Sequence, residues 1–462
     1  MTGYHLSRFA VTLPVEDRGD KLIAVYSTMT EAFILMTGSK WINILNTDLT
    51  GDVETVGQLI QQGILVFEGV DETVVFKEWK DRHVHDFSTM RSKILVTRKC
   101  NNQCTYCILV LEAKDMSAAI ARKMDDFYLE QIESNHPQQV RDDYLGGEPL
   151  MNLDVIIESA SRRFYFCKGK GIDYGFTITT NGTLVTPTVM ERLKAVGLTA
   201  VRVSLAGPAE IHDRLRPAVG GGKTYEKIMK NLEKISGSIP IRIECQYDAG
   251  ASDVKRIPEM LDDMNHRNIR VQDMAFTPIL EKRGESGFCT GMGDVEIFLF
   301  LKQAALQHGV PVSSSAPSNA CMTDFRSILV FDTDGSIIPC PSLQGGEMAY
   351  GNVLTGIDFV AESQLLNRKL PDQCLNQCEL LPLCMGGCRL QALTRHNDLT
   401  VSTVTMIPTA ACWRTISGQK RSWHYLRMAF AAMGRHREKA VSDHRRRFLG
   451  RSWEAVCQFD PL

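Results

Sequence analysis

The 462-residue chain has no long hydrophobic run. Its longest apolar stretches, such as IFLFL at residues 297–301, fall far short of the ~20 residues a membrane helix needs. The first residues, MTGYHLSRFAVTLPVEDRG, lack the apolar segment of a secretion signal. Charge of one sign is also missing. Lys and Arg total 52 against 54 Asp and Glu, so nothing global draws the chain to nucleic acid. There is no internal repeat, no low-complexity segment, no P-loop, no serine triad and no convincing dinucleotide fingerprint. The expectation is a cytoplasmic protein with no membrane and no nucleic-acid partner.

Cysteine, in contrast, is abundant. Fourteen are present, and in a reducing compartment clustered cysteines are metal ligands more often than disulfides. Ten fall into two spaced groups. The remaining Cys167, Cys245, Cys289 and Cys457 stand alone and read as packing residues or bystander thiols.

Residues 1–85 read as a small unit: two strands of a hairpin (22–27 and 32–36), helices over 40–45 and 54–62, and a third strand at 64–67. The polar stretch 78–88 reads as a linker. From 92 to 310 the chain alternates. Apolar β-prone runs at 93–97, 140–145, 176–180, 201–205, 241–245 and 271–276 are separated by helical patterns at 117–133, 153–168, 188–195, 225–235 and 254–264. Strands alternating with helices imply parallel βαβ units, hence an α/β core built as an open or partly closed barrel. Residues 315–420 are cysteine-rich with little periodicity, so metal centres could organise them more than apolar packing. The end, 421–462, is a basic extension, with Arg435 to Arg451 reading as a solvated face more readily than as a docking site for an acidic peptide.

In KCNNQCTYC, Cys100, Cys104 and Cys107 can aim three thiolates at one cube of four irons and leave one iron without a protein ligand. Zinc is the alternative, but structural zinc wants four ligands and no fourth Cys or His is near. Gly146, Gly147, Glu148 and Pro149 follow the second predicted strand, and TTNGTL (179–184) the third. Ligands bind at the C-terminal ends of strands in such sheets, and all three motifs fall there.

These residues resemble the signature of radical S-adenosylmethionine (SAM) enzymes. The aromatic Tyr106 before the last cysteine belongs to the same signature. The resemblance implies a partial (β/α)6 radical-SAM barrel and a [4Fe–4S] cluster whose open iron is chelated by S-adenosyl-L-methionine. Reduction then generates a 5′-deoxyadenosyl radical that abstracts hydrogen from substrate, so an external electron donor such as flavodoxin or ferredoxin is implied. Gly146, Gly147 and Glu148 would hold the methionine ammonium, a cation that wants an acceptor and close backbone approach. Asn181 would line the nucleoside. SLAGPAEIHDRLR (204–216) is similar to the family's SLDGP…HDxxR segment, which would place Ser204 and Arg216 at the SAM carboxylate. Ala206 stands where that segment commonly has Asp.

The second group runs Cys321-x13-Gly335-x4-Cys340, Cys374-x3-Cys378-x5-Cys384-x3-Cys388, then Cys412. It resembles the SPASM extension, which binds two auxiliary [4Fe–4S] clusters; a zinc ribbon is the alternative. Its first central gap is one residue wider than usual. The resemblance implies that Cys374, Cys378, Cys384 and Cys412 close one cluster and that Cys321, Cys340 and Cys388 hold the other. Members with a fully ligated first auxiliary cluster have a further cysteine soon after the first one. MTDFRSILVF follows Cys321 here, so one iron is expected to lack a cysteine, unless a side chain such as Asp324 fills it. A substrate thiolate suits that iron.

The SPASM resemblance implies a peptide or protein substrate. Anaerobic sulfatase maturases carry Asp after the second cysteine of this segment, where this chain has Pro341. The N-terminal pattern is similar to winged-helix domains that capture a leader by strand addition, with a structural cap as the alternative. The expectation is a maturase of a ribosomally made precursor peptide that forms a sulfur-to-carbon thioether, with the geopeptide maturases as one candidate relative. The alternatives are carbon–carbon crosslinking with the auxiliary clusters as electron relay and, in another class, a zinc-stabilised peptide-binding adaptor. No general base is assigned; Tyr247, Asp248 and Asp324 are positional candidates.

Overall fold

The computed structural model describes residues 3–17, 20–46, 53–279, 295–312, 321–344 and 346–402. Cys412, Cys289, Cys457 and the basic extension lie outside the described residues. No helix among the described residues is long and apolar enough to cross a membrane.

The N-terminal unit holds strands β1 (Tyr4–Leu6), β2 (Ala10–Asp17), β3 (Asp20–Ser27) and β4 (Phe33–Thr37), helices α1 (Gly38–Asn46) and α2 (Val53–Gln61), β5 (Leu65–Phe67) and α3 (Glu72–Val84). An antiparallel meander β2-β3-β4 stands beside the two-stranded pair β1-β5. Trp41, Ile44, Val56 and Leu59 from the helices close over Val25, Ile64 and Leu65. The polar stretch read as a linker is mostly α3. Asp71 caps it, its Oδ1 accepting from Thr73 N at 2.9 Å and Val74 N at 3.3 Å. Only Phe76 and Val84 of this helix are buried, which is why its sequence shows no apolar stripe.

The core alternates as expected: β6 (Thr89–Thr97), α4 (Ala118–Asn135), β7 (Gln139–Gly146), α5 (Leu153–Lys170), β8 (Asp173–Thr180), α6 (Pro187–Lys194), β9 (Leu198–Leu205), α7 (Ala209–Leu215), α8 (Tyr225–Ile235), β10 (Ile241–Tyr247), α9 (Pro258–His266) and β11 (Val271–Pro278), then α10 (Val295–Gln307). All six strands are parallel and lie side by side in chain order. One sheet face carries Ile94, Tyr144, Ile178, Val203 and Ile243 against Met124, Ile156, Met190, Ile228 and Met260 of the helices. The other face carries a small apolar cluster of Leu95, Leu145, Val330 and Ile338 and is polar around Asp143. There Asp143 accepts from Lys93 Nζ at 3.0 Å and from the Thr177 and Thr179 hydroxyls at 3.1 and 3.0 Å.

The cysteine-rich segment extends this same sheet. β12 (Ile328–Phe331) pairs parallel to β6, and β13 (Ser336–Ile337), β14 (Gly351–Asn352) and β15 (Gly356–Ile357) follow antiparallel. Helices α11 (Phe359–Leu366), α12 (Asp372–Gln377), α13 (Leu381–Cys384) and α14 (Arg389–His396) complete it. The N-terminal unit docks on α12. Phe9 and Phe76 pack with Leu381, Leu375, Cys374 and Cys378. The Arg8 guanidinium donates to Leu375 O at 2.5 Å, and the Thr28 hydroxyl to Glu379 O at 2.6 Å.

Phe76→Ala is expected to cost about 3–5 kcal/mol, because Phe76 is fully buried at this contact. Denaturant unfolding measures the loss. Hydrogen exchange should rise at residues 374–379, and unchanged protection there would contradict the docking.

Candidate functional site

Cys100, Cys104 and Cys107 lie on an irregular loop after β6, so neighbouring segments must hold it. Three backbone bonds tie it to the end of α7 and the chain that follows: Gln103 N to Pro217 O at 2.8 Å, Thr105 N to Leu215 O at 2.9 Å, and Val219 N to Asn101 O at 3.0 Å. From the other side, Gly147 N donates to Thr97 O and Glu148 N to Lys99 O, at 2.9 and 2.8 Å. A Cβ on Gly147 would lie 2.1 Å from Lys99 O, and one on Gly146 2.2 Å from Thr97 O. Both glycines therefore serve the close approach of one strand end to the loop that carries the cysteines.

Glu148 is fully buried beneath this loop. Its Oε1 accepts from the Thr180 hydroxyl at 2.7 Å and Leu150 N at 3.2 Å, and its Oε2 from Asn181 N at 2.8 Å. Burial raises its pKa, against these bonds and the Arg216 charge. The carboxylate expected at a ligand ammonium is thus engaged first in holding β8's end, with lone pairs to spare. Asn181 continues the chain of contacts. Its Nδ2 donates to Asn101 Oδ1 at 2.7 Å and approaches Cys100 Sγ at 3.9 Å. Asn102 N donates to the same sulfur at 3.4 Å.

Tyr106, Arg216 and Gln246 form a closed triangle. The Tyr106 hydroxyl donates to Gln246 Oε1 at 2.7 Å, and Arg216 Nη1 reaches the Tyr106 oxygen at 2.6 Å and Gln246 Oε1 at 2.7 Å. Arg216 is buried, and its positive charge lies near Cys104 and Cys100. Burial pushes Tyr106 up to about 12, so the phenol stays neutral at physiological pH. The Asp213 Oδ1 accepts from Thr224 N and Tyr225 N at the start of α8, fixing the turn that brings Arg216 in. Ser204 is buried on β9, paired with Glu244 of β10. Ala206 is fully buried, where an Asp would need a partner.

The residues fit an iron–sulfur cluster with a ligand beside it. The donor set is sulfur alone and partly accessible. Burial pushes the Cys100 thiol up to about 11, so without metal it is protonated, whereas a coordinated thiol is not. Arg216 Nε and both side-chain polar atoms of Asn102 are buried without a hydrogen-bond partner in the same wall. Among the described residues no three His, Cys, Asp or Glu side chains converge on a single-ion site. Thiolates of a cluster each reach a different iron, so they need not converge as zinc ligands do.

Two more groups of cysteines gather beyond the barrel. Cys340 is flanked by Cys321 and Cys388, and Cys384 by Cys378 and Cys374. That grouping follows the partition expected for two auxiliary clusters. Of the residues expected there, Cys412 alone falls outside the described residues. Asp324 is buried and its Oδ1 accepts from Arg389 Nη2 at 2.6 Å. A buried bidentate pair joins the two regions: Arg98, just before Cys100, donates through Nε at 3.2 Å and Nη2 at 2.5 Å to Asp332 in the β12–β13 turn.

The radical SAM superfamily model matches residues 94–245, the stretch from β6 to β10. A serine-type anaerobic sulfatase-maturating enzyme of Bacteroides thetaiotaomicron is 31% identical over 348 residues, 65% of this chain and 82% of that protein. The chain belongs to the radical SAM superfamily. Among solved structures, the radical SAM chain resembles anSMEcpe with bound AdoMet and a peptide (TM-score 0.58, 17% identity, 74% of this chain and 99% of that one). It also resembles SuiB of Streptococcus suis bound to the precursor peptide SuiA (TM-score 0.53, 15% identity, 88% and 99%). At such identities the likeness concerns the fold. Family membership makes this chain an enzyme that uses a four-iron cluster and S-adenosylmethionine. Sequence reasoning missed Asn101, Gln246, Arg98 and Asp332, whose roles depend on strand pairing that no local motif encodes.

Gly147→Ala should displace the loop and cost about 1–3 kcal/mol by overpacking. Iron per reconstituted chain should fall, with the loss confined to the cluster that responds to S-adenosylmethionine. Full iron loading of that cluster would contradict the role given to Gly147.

Proposed function

We propose that the enzyme matures a ribosomally made precursor peptide by joining a cysteine sulfur to a carbon of the same peptide. The observation that carries this is the group Cys321, Cys340 and Cys388: three thiols gather, and no cysteine follows Cys321 before Cys340. A four-iron cluster held by these three has one iron open to a substrate thiolate. Cys374, Cys378, Cys384 and Cys412 would hold the second auxiliary cluster. When bound, the cofactors supply hydrogen-atom abstraction from carbon and a sink for the electron left over when thiolate sulfur bonds to that carbon.

The protein's own groups do the positioning. Arg216, Asn181, Glu148 and Ser204 form the wall beside the first triplet, where S-adenosylmethionine would lie. The polar part of that sheet face, with Asp143, Lys93 and Glu244, offers hydrogen bonds to an incoming peptide. In the N-terminal unit β4 is an edge strand, open to strand addition, with Leu35 exposed on it. The opposite edge, β2, contains Pro14, which removes a donor and disfavours pairing there. These features support leader capture at β4. The likeness to SuiB, whose structure holds a precursor peptide and spans 88% of this chain, supports the same reading.

The test is anaerobic turnover of the reconstituted enzyme with a cysteine-containing precursor encoded beside it, followed by mass spectrometry. The expected product has lost one hydrogen from carbon and one from the thiol, and its cysteine resists alkylation. Modified peptide whose cysteine still alkylates would overturn thioether formation and favour carbon–carbon crosslinking.

A further inference from the structure

Between the two auxiliary groups of cysteines the chain buries more positive than negative charge. Arg389 follows Cys388 directly and is completely buried. Its Nη2 donates to Asp324 Oδ1 and to Leu365 O, both at 2.6 Å, and its Nη1 to Leu399 O at 2.9 Å. Arg368, also buried, donates through Nη1 to Gly387 O at 2.7 Å, inside the loop that links Cys384 to Cys388. Its Nη2 donates to Val401 O at 2.7 Å. The fit is tight: a Cβ on Gly386 would lie 3.0 Å from Arg368 Nη1. The Nε atoms of both arginines are buried without a hydrogen-bond partner. Lys80 of α3 approaches from the N-terminal unit, near Asp324 and both guanidiniums. Among the described residues the carboxylate facing these three cations is Asp324.

Burying guanidinium groups with so few counter-charges is costly unless something anionic completes the site. Arg368 senses Cys321 of one group and Cys384 of the other. Iron–sulfur clusters carrying thiolates are anionic, and net charge nearby is one determinant of their reduction potentials. On the reading that the two groups hold auxiliary clusters, we propose that the buried Arg368 and Arg389, with the half-buried Lys80, form a cationic wedge between them. The wedge stabilises the reduced, more negative form of each cluster and so raises both reduction potentials. It makes the auxiliary pair the natural destination for the electron that substrate bonding leaves behind. It also links the N-terminal unit to that electron sink, because Lys80 lies on the helix whose Phe76 packs on α12.

The test is potentiometric titration of the fully reconstituted, full-length enzyme, followed by paramagnetic resonance. Arg368→Met should shift the auxiliary midpoints to more negative values and leave the S-adenosylmethionine-responsive cluster unmoved. Arg368→Lys, which keeps the charge, should stay close to wild type. Unmoved midpoints in Arg368→Met at full iron content would overturn the wedge, as would an equal shift in Arg368→Lys. If Arg368→Met loads iron poorly, Lys80→Met gives the decision. It should shift the midpoints the same way by a smaller amount, and no shift would overturn the proposal. A wild-type chain whose iron content corresponds to the first cluster alone would remove the auxiliary clusters and the wedge with them.

Discussion

Everything at the candidate site depends on the approach of two glycines to the end of a neighbouring strand. Gly146 and Gly147 lie so near Thr97 and Lys99 that any side chain would collide with their carbonyls. That approach lets two backbone bonds hold the start of an otherwise irregular cysteine loop. The same turn drops Glu148 beneath the loop, where it takes donors from Thr180 and Asn181 and orders the end of the next strand. Asn181 then reaches back to Asn101 beside Cys100. Three strand ends are thereby locked around one sulfur-lined opening, and Arg216, brought in by the turn before α8, sets a positive charge beside it.

The rest of the chain is fastened to this core by few but buried links. β12 pairs with β6, the strand that leads into the cysteine loop, and Arg98–Asp332 bridges the two within a region from which water is excluded. Such a pair contributes to geometry more dependably than to stability, since desolvation offsets much of its attraction. The N-terminal unit does not touch the first triplet through any described contact. It rests on α12, between Cys374 and Cys378. A peptide held at the β4 edge would therefore sit on a unit coupled mechanically to the auxiliary region. On the proposed function, substrate capture and electron disposal would share one scaffold, while radical generation would occupy the other.

Much of this was legible in the sequence, for physical reasons. The six strands announced themselves because central parallel strands are apolar and β-branched, and the helices between them carry apolar residues at helical spacing. The cysteine triplet and the glycine pair were visible because metal ligation and close backbone approach each restrict residue type severely. Helix α3 was misread as a linker because it buries only two side chains and its polar surface masks any periodicity. Strand β2 was missed because Pro14 and its acidic end look unlike a strand, although an edge tolerates both. Arg368 and Arg389 gave no signal, since a buried arginine and a surface arginine are spelled alike. Glu148, expected at a ligand ammonium, has the protein's own strand end as its immediate partner.

Mössbauer spectroscopy of the isotopically enriched, anaerobically reconstituted enzyme, before and after adding S-adenosylmethionine, bears most directly on the idea of one open iron at Cys100, Cys104 and Cys107. A single iron of one cluster should change its signal on addition, consistent with a new nitrogen and oxygen coordination, while the remaining irons stay as they were. A spectrum indifferent to S-adenosylmethionine, or a colourless chain carrying zinc in place of iron, would contradict it.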